Sequence, residues 1–154
     1  MSSWEEGHNA RTDTTAFAAM LTPVDSGPAI VACNTCRFDK DRRDDEQGRR
    51  GGALLGAALR AAQAADARYA AIAIQDMPCL FACGDHCTIH LRASGKISYV
   101  LGRFAPDMDA ARAILDYALH YANSPDGRVP YAQWPEGVKG HFITRSPPGG
   151  YVAS

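Results

Sequence analysis

An α/β domain built on a mixed sheet is the fold class that this sequence predicts, with elements in the order β-α-β-β-β-α and the helices packed on the sheet. Three observations predict it. Ala29 to Ile74 reads as strand, alanine-rich helix and strand, the content of one βαβ unit. Thr88–Arg92 and Lys96–Leu101 alternate apolar and polar residues on either side of Ala93-Ser94-Gly95, the pattern of a hairpin. Residues 108–122 repeat Ala, Ile and Leu at helical spacing.

Taken in order, residues 1–28 form an N-terminal extension, expected to be partly ordered, with a short helix possible over Asn9–Leu21 before Thr22-Pro23 ends it. Ala29-Ile30-Val31-Ala32 is a short buried strand. Arg37 to Arg50 holds six basic and five acidic side chains and no apolar residue after Phe38, so it reads as a solvated loop. Gly51-Gly52 opens a helix, ALLGAALRAAQAADA, whose Leu54, Leu55, Ala58, Leu59 and Ala62 share one face. Tyr69 to Ile74 is apolar on both alternating faces and predicts a central strand covered on both sides. Pro78 to Cys87 is a cysteine-rich turn leading into the hairpin. Asp107 is placed to cap a second helix, Met108 to Ala122, with Ala111, Ile114, Leu115, Ala118, Leu119 and Ala122 as its buried stripe. The Gly- and Pro-rich residues 123–154 predict an irregular tail packed over a domain spanning 29–122, with Trp134, Phe142 and Tyr151 as anchors.

Composition narrows the function classes. The chain has 154 residues, one domain's length, and a net charge of −1, which disfavours a nucleic-acid partner. Hydrophobic residues make up 46%, but 27 residues are alanine, so the side chains that stabilise most by burial are scarce. The most apolar stretch, Tyr69 to Ile74, is far short of the roughly 20 residues of a membrane span. The N-terminus has acids near its start and no apolar run, unlike a secretory signal. These features predict a cytoplasmic protein without a membrane partner, whose thiols bind metal or do redox chemistry. Five is also an odd number of cysteines for a pure disulfide framework.

Those cysteines fall in two clusters, Cys33-Asn34-Thr35-Cys36 and Cys79, Cys83 and Cys87, each beginning where a predicted strand ends. If the two strands are parallel neighbours, both clusters leave the sheet at one edge, the carboxyl end where open α/β sheets hold their ligands. Cys33, Cys36, Cys79 and Cys83 are then the ligand set. Pro78 is placed to start a helical turn that would put Cys79 and Cys83 on one face. Cys87 is the fifth thiol, an alternative ligand, set apart by Gly84-Asp85.

All-thiolate donors select zinc, Cu(I) or an iron–sulfur cluster. A [2Fe–2S] cluster takes four thiolates. Zinc or cobalt is the competing occupant, although zinc sites more often use two Cys-x-x-Cys pairs closer in sequence than the 42 residues separating Cys36 from Cys79. A dithiol oxidoreductase is a further possibility. A reactive Cys-x-x-Cys normally sits at a helix N-terminus, and here a charged loop separates Cys36 from the helix start. Five unrelated buried cysteines, acting as small hydrophobes, are the plainest alternative.

His86, between Cys83 and Cys87, is a candidate to replace one thiolate, or else a solvated loop residue. His90 and His120 read as surface or sheet-face residues. Arg37, next to Cys36, would offset the negative charge of a cluster, and backbone N–H groups of Asn34, Thr35, Leu80 and Phe81 are candidate donors to its sulfurs. Nucleotide-binding glycine loops, the GxSxG and HExxH motifs and a Ser/His/Asp order are absent, so no catalytic residue is assigned.

The sequence is similar to a bacterial family of predicted metal-binding proteins, which itself resembles the thioredoxin-like [2Fe–2S] ferredoxins. The matching residues are Cys33-Asn34-Thr35-Cys36-Arg37, Cys79-Leu80-Phe81-Ala82-Cys83, Cys87-Thr88-Ile89, Gly95-Lys96-Ile97-Ser98-Tyr99-Val100 and Gly127-Arg128-Val129-Pro130. The resemblance covers about residues 29–148. It implies a thioredoxin-like domain and an electron carrier with a redox partner protein. Alternatively, it implies a zinc or cobalt handler linked to cobalamin metabolism. By the same resemblance the chain forms a homodimer.

Overall fold

The computed structural model describes residues 21–154. The short helix expected at Asn9–Leu21 lies outside the described residues but for its last residue. The elements are β1 (Ala29–Cys33), α1 (Gly51–Ala65), β2 (Ala73–Met77), β3 (Ile89–Arg92), β4 (Ser98–Leu101), α2 (Met108–Asn123) and β5 (Phe142–Ser146). The sheet runs β2-β1-β3-β4-β5. β1 and β2 are parallel, and β3 is antiparallel to both β1 and β4. The first four strands, with β3 alone reversed and two helices packed on them, form the thioredoxin-like arrangement.

One sheet face carries the core. Ile30 pairs with Leu91, Ala32 with Ile89, Leu91 with Tyr99 and Ile89 with Leu101, and all of them join one buried cluster with Leu55, Leu59, Ile114 and Leu115 of the helices. Small residues let the helices approach closely, while rings fill the remaining volume. Tyr99 packs edge-on against Tyr117, Tyr121 and Phe142 at centroid distances of 6.4, 6.2 and 5.4 Å. Tyr117 and Tyr121 thereby extend the expected stripe of α2, and the Asp107 side chain caps that helix, accepting from the Ala110 N–H at 2.9 Å.

Two expectations change. The second strand begins four residues later than its apolar pattern suggests, and it lies at the sheet edge rather than the centre. Tertiary contacts decide this. Asp66 caps a 3-10 turn over Ala67–Tyr69, the buried Tyr69 donates its hydroxyl to Asp116 of α2 at 2.5 Å, and Gln63 bonds the carbonyls of Tyr69 and Ile72. The strand that follows carries Gln75 and Asp76, tolerable only where one edge meets solvent. The segment expected to be irregular supplies a fifth strand, β5, paired to β4 with an irregularity at Val100/Leu101. Phe142 anchors it on Trp134 and Tyr99. No helix among the described residues is long and apolar enough to cross a membrane.

Candidate metal centre

The parallel register sets Cys33 opposite Met77, so both chains leave the sheet at the same end. The two loops are then tied together. The Asn34 N–H donates to the Met77 carbonyl at 3.0 Å, and the Thr35 hydroxyl donates to the Pro78 carbonyl. A bond from the Cys36 N–H to the Cys33 carbonyl, 3.2 Å, closes the first cysteine turn.

Cys33, Cys36, Cys79 and Cys83 line one cavity of about 60 Å³, with Thr35, Arg37, Leu80 and Ala82 completing its wall. A larger groove of about 420 Å³ lies beside the C-terminal residues and contains no thiol. Cys33 and Cys36 are buried, Cys79 is half-buried and Cys83 is exposed, so the cavity opens on the Cys83 side.

Within the cavity the thiols are paired. The Cys36 S–H donates to Cys33, and that bond is the main reason the Cys33 thiol is held down to about 5. The Leu80 N–H from the other loop adds to the same effect. Donation to Cys33, reinforced by burial, pushes Cys36 up, so Cys33 is the thiolate of this pair. Cys36 also lies 2.8 Å from the Thr88 hydroxyl. Cys83 is raised by its bond to Cys79 and, further off, by the charge on Cys33. Cys79 accepts from the Phe81 N–H at 3.3 Å.

This loop is not the helical turn expected after Pro78. Phe81 has a φ of 59°, which interrupts any helix there. Among the described residues, no three His, Cys, Asp or Glu side chains surround a single point as one metal ion requires.

Cys87, expected as an alternative ligand, lies outside the cavity. It is fully buried in the hydrophobic core and donates weakly to the carbonyls of Arg37 and Phe38 at 3.6 and 3.7 Å. Burial pushes its thiol up to about 12. His86 is half-buried and not part of the cavity wall, and its Nδ1 has no hydrogen-bond partner. His90 lies half-buried in β3, and His120 is exposed.

Helix α1 sits closer to the first cysteine turn than the intervening loop suggests. The Gly52 N–H donates to the Cys36 carbonyl at 3.2 Å. A Cβ on Gly51 would lie 2.8 Å from the Cys87 sulfur, and one on Gly52 would collide with the Cys33 carbonyl. The charged loop folds back to permit this approach: Arg50 bonds the Thr35 carbonyl at 2.7 Å and pairs with Asp44 at 3.0 Å. The positive end of the helix dipole therefore faces the turn that carries Cys33. Thr88 and Gly52 are site residues that motif reading passed over, and Thr35, expected to act through its N–H, ties the loops together through its hydroxyl. The only sequence signals were their places inside or beside the cysteine clusters and the Gly-Gly pair at the helix start.

Fold and site together define a thioredoxin-like domain with a thiol-lined cavity at the carboxyl end of its parallel strands. The chain belongs to the family described as "Protein of unknown function (DUF1636)", whose profile matches residues 30–148. A solved structure described as a thioredoxin-like [2Fe–2S] ferredoxin from Aquifex aeolicus is similar to this chain at 17% identity with a TM-score of 0.48, covering 82% of this chain and 100% of that one. No curated protein matches the sequence.

Proposed function

We propose that this protein is an electron carrier in which Cys33, Cys36, Cys79 and Cys83 hold a [2Fe–2S] cluster. The observation that carries the proposal is the two-by-two arrangement of the thiols. Cys33 and Cys36 come from the turn after β1, Cys79 and Cys83 come from the loop after β2, and all four line one cavity. A binuclear cluster uses four thiolates in two pairs, one pair to each iron. A single zinc needs all four sulfurs within about 2.3 Å of one centre.

When bound, such a cluster supplies one-electron reduction and oxidation. The residues around it have separable roles. Neighbouring donors hold the Cys33 thiol low, which favours the deprotonated form that ligates metal. The N–H groups of Leu80 and Phe81 donate to sulfurs of the two pairs, which raises a cluster's potential. Arg37 contributes a cation to the wall and makes no ion pair among the described residues. Cys83 is the exposed ligand and the side from which electrons arrive.

A zinc- or cobalt-handling protein is the second reading, favoured by the lining of one small cavity by all four sulfurs. The dithiol oxidoreductase reading gains from the low Cys33 thiol but loses more from burial, because Cys33 is 3% exposed. Anaerobic purification followed by iron, zinc and acid-labile sulfide analysis tests the proposal. Iron and sulfide in equal amounts, two of each per chain, support it. Stoichiometric zinc or cobalt without sulfide overturns it.

A further inference from the structure

Phe81 occupies a position that nothing among the described residues explains. The cysteine loop accounts for its backbone, because a φ of 59° lets its N–H turn toward Cys79. The loop does not account for its ring. Glycine or asparagine adopts this φ at low cost, whereas a bulky aromatic is strained there. The side chain is 95% exposed and so contributes no packing in return. The surrounding stretch is also apolar: Met77, 43% exposed, ends β2, the exposed Pro78 follows, and Leu80 is half-buried. Leu80 of this stretch lines the cavity, and Phe81 lies two residues before the exposed Cys83 of the same wall.

Charge gives the border a sign. Arg42, Arg49 and Arg50 in the adjoining loop are matched by Asp39, Asp45 and Asp44, but Arg37 on the cavity wall has no ion pair among the described residues.

We propose that Phe81 is the docking anchor for the electron-transfer partner, a protein presenting an apolar pocket bordered by carboxylates. The inference rests on the electron-carrier reading of the thiol cavity. The ring inserts into the partner's pocket, and an acidic border meets Arg37, bringing the partner against exposed Cys83. Electron-transfer encounters are among the smallest protein interfaces, so one ring of about 150–250 Å² supplies a large share of the contact. Buried aromatic anchors commonly dominate such patches.

The test uses the full chain in cells that naturally make it. Phe81→p-benzoylphenylalanine is photo-crosslinked beside Tyr131→p-benzoylphenylalanine, since Tyr131 is another exposed aromatic that lies outside the cavity wall. The captured protein is identified and purified, and its affinity is measured for the wild type, Phe81→Ala and Phe81→Asn, the last of which accommodates the φ. The expected result is one dominant adduct at position 81, absent at 131, that is a redox protein. Both substitutions then weaken binding at least tenfold, and added salt weakens it further. An adduct no stronger than at 131, a second copy of this chain as the adduct, or unchanged affinity overturns the proposal. Iron and sulfide contents of the same preparations separate this failure from that of the electron-carrier reading. A wild type without iron and sulfide sinks the latter, whatever the crosslink shows.

Discussion

Gly52 at the start of α1 meets Cys33 at the end of β1 so closely that a Cβ on Gly52 would collide with the Cys33 carbonyl oxygen. Backbone cannot yield as a flexible side chain can, so Gly52→Ala must push the helix or the cysteine turn aside. Overpacking of this kind costs about 1–3 kcal/mol. Thermal denaturation should show that loss, and iron per chain should fall with it. Gly56→Ala is the contrast on the same helix. Its Cβ would sit in ordinary contact, 3.5 Å from Asp76 and 3.7 Å from the Ala32 Cβ. Removing a helix-interior glycine there should stabilise the protein by about 0.5–1 kcal/mol. Equal effects of the two substitutions would contradict the account of how α1 positions the turn.

The four-plus-one division of the thiols predicts a division among variants. Serine at position 33, 36, 79 or 83 should sharply reduce the metal retained after purification, because each removes one soft donor from the cavity wall. Cys87→Ala should keep wild-type metal content while losing about 1–2 kcal/mol of stability, as befits a core residue. Metal loss in Cys87→Ala, with full retention in any of the other four, would reverse the assignment.

Cys87 also predicts an alkaline signature. Its folded thiol is raised to about 12 by burial from an ordinary value of 9.0. Between those values the unfolded chain releases the proton while the folded chain retains it, so stability falls as pH rises. The stabilisation is fully present below pH 9 and drains away at up to about 1.4 kcal/mol per pH unit toward pH 12. Urea denaturation of metal-free wild type and Cys87→Ala across this window should show the variant losing stability less steeply. Parallel curves would refute the buried-thiol assignment.

Tyr69 tests the displaced start of β2. Its hydroxyl donates to Asp116, linking the turn before β2 to helix α2. Tyr69→Phe removes that bond and should cost about 1 kcal/mol, read as a lower denaturation midpoint. An unchanged midpoint would mean that the turn is held by ring burial alone.

Local pattern sufficed for much of this architecture. Alternation identified β3 and β4, alanine content and periodicity identified α1, and Asp107 marked the start of α2. The meeting of the two cysteine clusters followed from one topological premise, that β1 and β2 are parallel neighbours. What sequence could not supply came from contacts between distant residues. Alanine fits an edge strand as well as a central one, so Tyr69–Ile74 did not reveal that Asp66, Gln63 and Asp116 would hold its first residues in a turn. The polar end of β2 became intelligible only with Arg60 of α1 bonding Asp76 at 2.7 Å. Likewise, the 14 residues from Arg37 to Arg50 looked like separation. Arg50 folds back onto the Thr35 carbonyl and brings the helix start against the first cysteine turn. The direction of Cys87, into the core rather than the cavity, is a rotation that spacing alone cannot encode.

If thiols from two strand ends hold one redox-active cluster, reduction with dithionite makes the protein paramagnetic, and its electron paramagnetic resonance spectrum shows this. A single signal integrating to about one unpaired electron per chain, lost in Cys79→Ser, is the predicted result. A silent spectrum from protein carrying one zinc per chain would contradict it.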